Sequence, residues 1–328
     1  MIKTKKRILF YTATLLGIIS FLSLLFGSHI LTIDELLAGI FNANSKYHFI
    51  TWEYRIPRLL IGILAGFALS CAGTIFQGIL KNPLASIDVL GITKGAGFMA
   101  VLVLTMPIKA YLTVPLAALV GGVGVAVLLL WYSRKNGFES KKIIIMGIAM
   151  NALFDAGIQY FTLNNNTDIQ TTLTWLVGSL WGKFWNELAI LSVFFLLIVP
   201  IIMLLSRKLD VLSLSDEVAI GIGENVKRTK IILLILAVLL TASSVSIVGT
   251  ISFIGLIAPH LAKIFVGQRH QLLLPMSGLI GALLIVVSDT IGSTVFAPIE
   301  IPVGIITAVV GAPYFIYLLL NKKRLGKR

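Results

Sequence analysis

Residues 55–97 read RIPRLLIGILAGFALSCAGTIFQGILKNPLASIDVLGITKGAG, and the fold class follows from them. The stretch opens on Arg55-Ile56-Pro57-Arg58 and runs apolar from Leu59 to Leu80, with only Ser70, Thr74 and Gln77 as polar interruptions. It closes on Lys81-Asn82-Pro83-Leu84-Ala85. About twenty apolar residues cross a hydrocarbon core of roughly 30 Å, so one helix spans a bilayer here with a polar group at each end. Gly62, Ala65, Gly66, Ala68, Ala72, Gly73 and Gly78 load that helix with small side chains. Such residues let backbones approach closely in lipid, where no hydrophobic force drives helices together. The helix is expected to pack among others.

The rest of the chain has the same character. Of its 328 residues, 57% are hydrophobic and only 12% charged, against about 25% charged in ordinary soluble domains. That composition describes a polytopic membrane protein. The net charge of +13 does not point to nucleic acid, because the basic residues form short clusters between apolar runs rather than a basic face. The single cysteine, Cys71, lies inside an apolar run, so no intrachain disulfide forms. The first apolar segment follows Lys3, Lys5, Lys6 and Arg7, extends about twenty residues and lacks a clear small-residue cleavage site, so it is kept as a span rather than a signal peptide.

Apolar runs near 8–28, 57–80, 87–106, 111–132, 143–163, 187–205, 230–248, 251–267, 272–293 and 302–320 predict an all-α fold of about ten crossings in one transmembrane domain over 1–328. With both termini cytoplasmic, 22 Lys and Arg residues lie inside, Lys81 and Lys94 among them, against five outside: Lys46, Arg55, Arg58, Lys109 and Lys183. This asymmetry satisfies the positive-inside rule. Two outer segments exceed tight turns, residues 29–56, with Asp34, Glu35 and Glu53, and residues 164–186. Residues 164–186 carry Trp175, Trp181 and Trp185, and tryptophans favour the membrane boundary, which predicts a short surface helix; a simple interfacial anchor is the alternative.

Gly73-Thr74-Ile75 and Gly249-Thr250-Ile251 each precede a proline, Pro83 and Pro259, at the same spacing. The pair suggests an inverted repeat of the kind transporters use, and chance matching of small residues is the competing explanation. Residues 206–229 form the main cytoplasmic insertion, where Asp216-Glu217 at the start of a helical turn and a close at Gly221 or Gly223 predict a short amphipathic helix.

Several chemistries are absent. The sequence holds no G-x-x-x-x-G-K-[ST] phosphate loop, no H-E-x-x-H, no CxxC and no G-x-S-x-G, so neither a nucleotide-burning site, a cofactor, a metal centre nor a catalytic residue is expected. Asp155 and Asp289 are the clearest ionisable residues within spans; such residues mark ion or substrate paths, or sit near span ends with hydroxyl partners such as Ser288 and Thr290.

These motifs, taken in order, resemble the permease subunits of type II ATP-binding-cassette (ABC) importers for iron-siderophores, haem and cobalamin. The resemblance rests on Arg55-Ile56-Pro57-Arg58, on Gln77 with Asn82-Pro83-Leu84-Ala85, and on Leu90-Gly91-Ile92 with Gly95-Ala96. It continues through Trp175-Leu176-Val177-Gly178-Ser179-Leu180, Phe253-Ile254-Gly255-Leu256 with Pro259-His260, Glu300-Ile301-Pro302-Val303-Gly304 and Gly311-Ala312-Pro313, and covers nearly the whole chain. It implies a multi-pass cell-membrane subunit that works with ABC ATPase subunits, an external substrate-binding protein and a second permease subunit, identical or paralogous. It further implies that Arg55 and Arg58 receive acidic residues of the binding protein, that Asn82 and Leu84 narrow the inner end of the pathway, and that Asp216, Glu217, Ala219 and Gly223 belong to a helix coupling the ATPase. Val218 replaces the middle alanine of the family's E-A-A-x-x-x-G pattern, and Ser293 stands where the family often has a further arginine. Two rivals remain: a secondary carrier driven by an ion gradient, and a sensory or structural membrane protein without flux.

Overall fold

The computed structural model describes residues 2–106, 113–136, 140–164 and 169–325, and Lys109, Asn165 and Asn166 lie outside them. Helix α3 (Ile56–Ile79) forms the axis. It is buried along most of its length and packs against α8 (Trp185–Leu204), α11 (Val226–Val248), α12 (Ile254–Val266) and α13 (His270–Thr294). Its small residues explain the closeness. A Cβ on Gly73 would fall 2.6 Å from Gly255 Cα, and one on Gly66 would fall 2.8 Å from Ala282 Cα. Most of the polar groups inside find partners on this or a neighbouring helix: Thr74 Oγ1 donates to Ser70 O at 2.9 Å and lies 3.0 Å from Ser277 Oγ, and Gln77 Oε1 accepts from Lys263 at 2.8 Å, while Ser70 Oγ is buried without a partner. In lipid, helices must satisfy their polar groups within the bundle.

Around this axis stand α1 (Ile2–Leu25), α4 (Ile92–Leu104), α5 (Thr113–Asn136), α6 (Ser140–Asn164) and α14 (Val303–Leu325). No strand occurs among the described residues. Among the described residues, seven helical segments are long and apolar enough to cross a bilayer, and three shorter apolar stretches accompany them: α4 (Ile92–Leu104), α12 (Ile254–Val266) and Val303–Leu318 of α14. Two runs that read as full spans are therefore interrupted. Residues 87–106 split at Gly91, whose φ of +82° ends a 3-10 turn (Ile87–Leu90) and starts α4. Residues 251–267 begin irregularly, with Phe253 at φ +69°, so that α12 covers 13 residues, about 20 Å at 1.5 Å per residue. Apolar composition counts these residues; only backbone geometry shows where the helix starts.

The two ends of the bundle carry short helices. At the Arg58 end, α2 (Ile33–Phe41) is closed by a reciprocal cap in which Thr32 N donates to Glu35 and Glu35 N donates to Thr32 Oγ1. A π-helical turn (Phe49–Arg55) then feeds α3. The expected helix is α7 (Ile169–Val177), shorter than the 164–186 segment and carrying Trp175 alone; Trp181 lies in the turn after it, and Trp185 opens α8 with its Nε1 donating to Trp52 O at 3.0 Å. At the opposite end, α9 (Ser206–Leu212) and α10 (Asp216–Gly221) precede α11. Of the two Gly-Thr-Ile copies, Gly73 lies within α3 and Gly249 caps the end of α11 at φ +75°.

Candidate functional site

Three groups of residues stand out along the bundle, at one end, at the middle and at the other end. At the first, the one-turn spacing of Arg55 and Arg58 near the start of α3 places both at a crowded corner, and both are largely buried. Arg55 donates from Nη1 to Leu24 O at 2.6 Å and from Nη2 to His29 O, so it finishes the C-terminal end of α1, where unpaired carbonyls favour a cation. Arg58 forms a two-pronged pair with Asp289 of α13, at 2.8 and 2.9 Å. Its remaining nitrogen reaches Glu300 at 2.7 Å and Tyr54 Oη at 2.6 Å. The guanidinium is thus enclosed by two carboxylates from its own chain. Sequence reading sets Asp289 either on an ion or substrate path or beside hydroxyls; the structure joins it to an arginine 231 positions away. Next to this cluster lies a cleft of about 790 Å³ lined by Trp175, Trp181, Lys183, Glu300 and Pro302. Burial lowers the Lys183 ammonium below its ordinary value, partly offset by Glu187.

At the other end, Asn82 and Leu84 lie in the loop that follows α3, half-buried. Asn82 Oδ1 accepts from Leu84 N at 3.0 Å and Asn82 O accepts from Ala85 N at 3.1 Å, an Asx turn that fixes the loop. The neighbouring Lys81, at φ +49°, ties this loop to α10. Its Nζ donates to Leu214 O at 2.6 Å and to Asp216 Oδ1 at 2.8 Å, while Lys230 donates to Asp216 Oδ2 at 2.8 Å. Hydrogen bonds from Lys230 and then Lys81 hold the Asp216 carboxyl below its ordinary range. No spacing signal in the sequence pairs Lys81 with Asp216.

Helix α10 has an N-cap, Ser215 Oγ accepting from Val218 N, and two acidic residues in its first turn, which oppose the helix dipole. Gly223 ends it at φ +86°, with Gly223 N donating to Ile220 O at 2.9 Å and Glu224 N to Ala219 O at 3.0 Å. Ala219 is buried, whereas Glu217, Val218, Ile220 and Ile222 are exposed. An apolar group of this kind on a segment outside the apolar spans marks a contact surface.

Between the ends, Lys94 on the first turn of α4 donates to Asp155 of α6 at 2.7 Å. The charge asymmetry counted Lys94 with an end loop; the structure sets it in the first turn of α4, against Asp155 within α6. Among the described residues, no group of His, Cys, Asp and Glu could hold a metal ion.

The fold and these groups define a polytopic, all-helical membrane protein. The chain belongs to the FecCD transport family, whose model matches residues 15–321. It is 42% identical over 313 residues to the Fe(3+)-citrate import system permease protein YfmE of Bacillus subtilis, covering 95% of this chain and 94% of that protein. It is 38% identical to the Fe(3+) dicitrate transport system permease protein FecD of Escherichia coli, covering 86% of this chain and 88% of that protein. A solved structure described as an inward-facing metal-chelate type ABC transporter superposes with a TM-score of 0.87 at 30% identity, covering 96% of this chain and 99% of that one.

Proposed function

We propose that the chain is the membrane-spanning subunit of an ABC importer that passes a ferric chelate, an iron-siderophore in the broad sense, from an external binding protein to the cytoplasm. Haem and cobalamin are the alternative cargoes. In this reading the seven long helices and the three shorter apolar ones make ten crossings of one domain over 1–328, both termini are cytoplasmic, and the Arg58 end faces outward. The two Gly-Thr-Ile copies are the remnant of an inverted repeat. Residues 206–229 are the coupling segment, and two such subunits enclose the pathway.

The observation that carries the reading is the Lys81–Asp216–Lys230 link. It joins the loop bearing Asn82 and Leu84 to the exposed apolar surface of α10. A separate ATPase gripping Glu217, Val218, Ile220 and Ile222 would move the loop that narrows the pathway, converting closure of one subunit into rearrangement of another. Ala219 and Gly223 shape α10 for that grip. At the outer end, acidic residues of a docked binding protein would compete with Asp289 and Glu300 for Arg58, loosening α3 from α13; Arg55 holds the adjoining corner through α1.

The test is reconstitution of the permease with ATPase subunits and binding protein in vesicles. Uptake of radiolabelled ferric citrate that requires ATP supports the proposal. Accumulation that continues without the ATPase and collapses with an ion gradient favours the secondary carrier, for which the Lys94–Asp155 pair is the specific observation. Partner binding without flux favours the sensory reading.

A further inference from the structure

Asp155 stands twelve residues after Ile143 and nine before Asn164 on α6. At 1.5 Å per residue these are about 18 Å and 14 Å, so the Lys94–Asp155 pair sits near the middle of a hydrocarbon core about 30 Å thick. Its side chains are nevertheless 44% and 41% exposed on the single chain. A charged pair at this depth does not face lipid; it faces a bundle interior or a water-filled path. Beside it lies a cavity of about 490 Å³ with apolar walls from Ile158, Leu163, Leu173 and Leu176 and polar groups from Gln159, Thr162 and Thr250 beside the pair itself.

Most of the hydroxyls of that cavity are spoken for, and the ion pair is not saturated. Thr162 and Thr250 spend their hydroxyl protons on the carbonyls of Ile158 and Leu176. Lys94 Nζ makes one hydrogen bond, to Asp155 Oδ1, out of the three an ammonium offers. The wall thus presents the Lys94 ammonium with two donors to spare, held in place by the Asp155 carboxylate on the facing helix.

We propose that Lys94, positioned by Asp155, is the mid-path station at which an anionic, carboxylate-bearing ferric chelate is met on its way through the membrane. Lys94 donates to a carboxylate oxygen of the cargo, and Asp155 keeps the ammonium at the wall when the path is empty. Lys94 is a specificity-determining residue and Asp155 a positioning residue. This deepens the transport reading above and rests on it.

The experiment uses the complete complex of permease subunits, ATPase and binding protein in vesicles, with radiolabelled ferric citrate as probe and co-purification of the subunits as the check on assembly. Four variants are compared: Lys94→Arg, Lys94→Met, Asp155→Asn and the double Lys94→Met/Asp155→Leu. Removing Lys94 should lower uptake about tenfold or more in both the single and the double variant, as loss of one charge-assisted hydrogen bond predicts. Lys94→Arg should stay within about threefold of the parent and Asp155→Asn should retain uptake, because the cation persists in both. If the double variant returns to parental uptake while both neutralised singles fail, the pair only holds α4 against α6 and the proposal is overturned. Parental uptake by Lys94→Met overturns it as well. A parental complex that moves an uncharged ferric chelate but not ferric citrate overturns the cargo class alone. One that moves no ferric chelate removes the transport reading itself.

Discussion

Arg58 invites the sharpest test. With side-chain exposures of 9% for the arginine and 16% for each partner, its pairs with Asp289 and Glu300 are largely out of water. Arg58→Ala leaves two carboxylates from different elements close together without their cation. Removing one partner of a buried ion pair costs about 3–5 kcal/mol. The lower figure applies here, since the partners retain some solvent. A loss of about 3 kcal/mol changes the folded-to-unfolded ratio by more than a hundredfold and should lower the thermal midpoint of the purified permease by several degrees. The neutral triple variant Arg58→Met/Asp289→Asn/Glu300→Gln should regain most of that loss, because replacing a whole buried charged cluster is often neutral or stabilising. Thermal unfolding followed by intrinsic fluorescence, with docking measured by interferometry, separates the roles. Glu300→Gln should strengthen docking of an acidic binding-protein lobe by freeing part of the guanidinium, whereas Arg58→Glu should weaken both docking and stability. An Arg58→Ala variant with an unchanged thermal midpoint, or a triple variant no more stable than the single, would refute this account of the cluster.

Other predictions address the rest of the bundle. Gly223→Ala forces a side chain into the left-handed region at a place with no atom within 4 Å of the new Cβ, so about 1–2 kcal/mol of backbone strain should fall on α10 and reduce ATP-driven uptake more than ATP hydrolysis; equal loss of both would count against a coupling role. Asp216→Asn should loosen the loop after α3 from α10, seen as faster proteolysis or hydrogen exchange there. Because the folded-state pKa of Asp216 is depressed, its stabilisation is complete above the ordinary carboxylate value and is lost as pH falls through the folded one. The gap in thermal midpoint between parent and variant should therefore be full at neutral pH and close in acid, and a gap that widens in acid would contradict the link. Gly73→Ala should cost about 1–3 kcal/mol or more by overpacking α3 against Gly255, read as reduced yield of monodisperse protein; a normal yield and thermal midpoint would show that the two helices have room to part.

The helical class, the small-residue axis of α3 and the short acidic-capped α10 were all readable from composition and spacing, because each depends on residues near one another in sequence. The resemblance through Arg55-Ile56-Pro57-Arg58 and Asn82-Pro83-Leu84-Ala85 pointed to the right family for the same reason. What stayed hidden were pairings between distant positions. Arg58 reads as meeting acidic residues of a partner and is enclosed by those of its own chain, Asp289 reads as a path residue or hydroxyl-capped and binds an arginine, and Lys94 reads as an end-loop cation and faces Asp155. The short starts of α4 and α12 were hidden too, since Gly91 and Phe253 act through backbone angles that hydropathy does not see.

By itself the amino-acid sequence determined that this chain lives in a bilayer as packed helices, because apolar length and small side chains are local properties that lipid reads directly. Only the tertiary structure decided which charges neutralise one another and where, because an ion pair depends on the distance between side chains brought together by packing, and no periodicity along the chain encodes that distance.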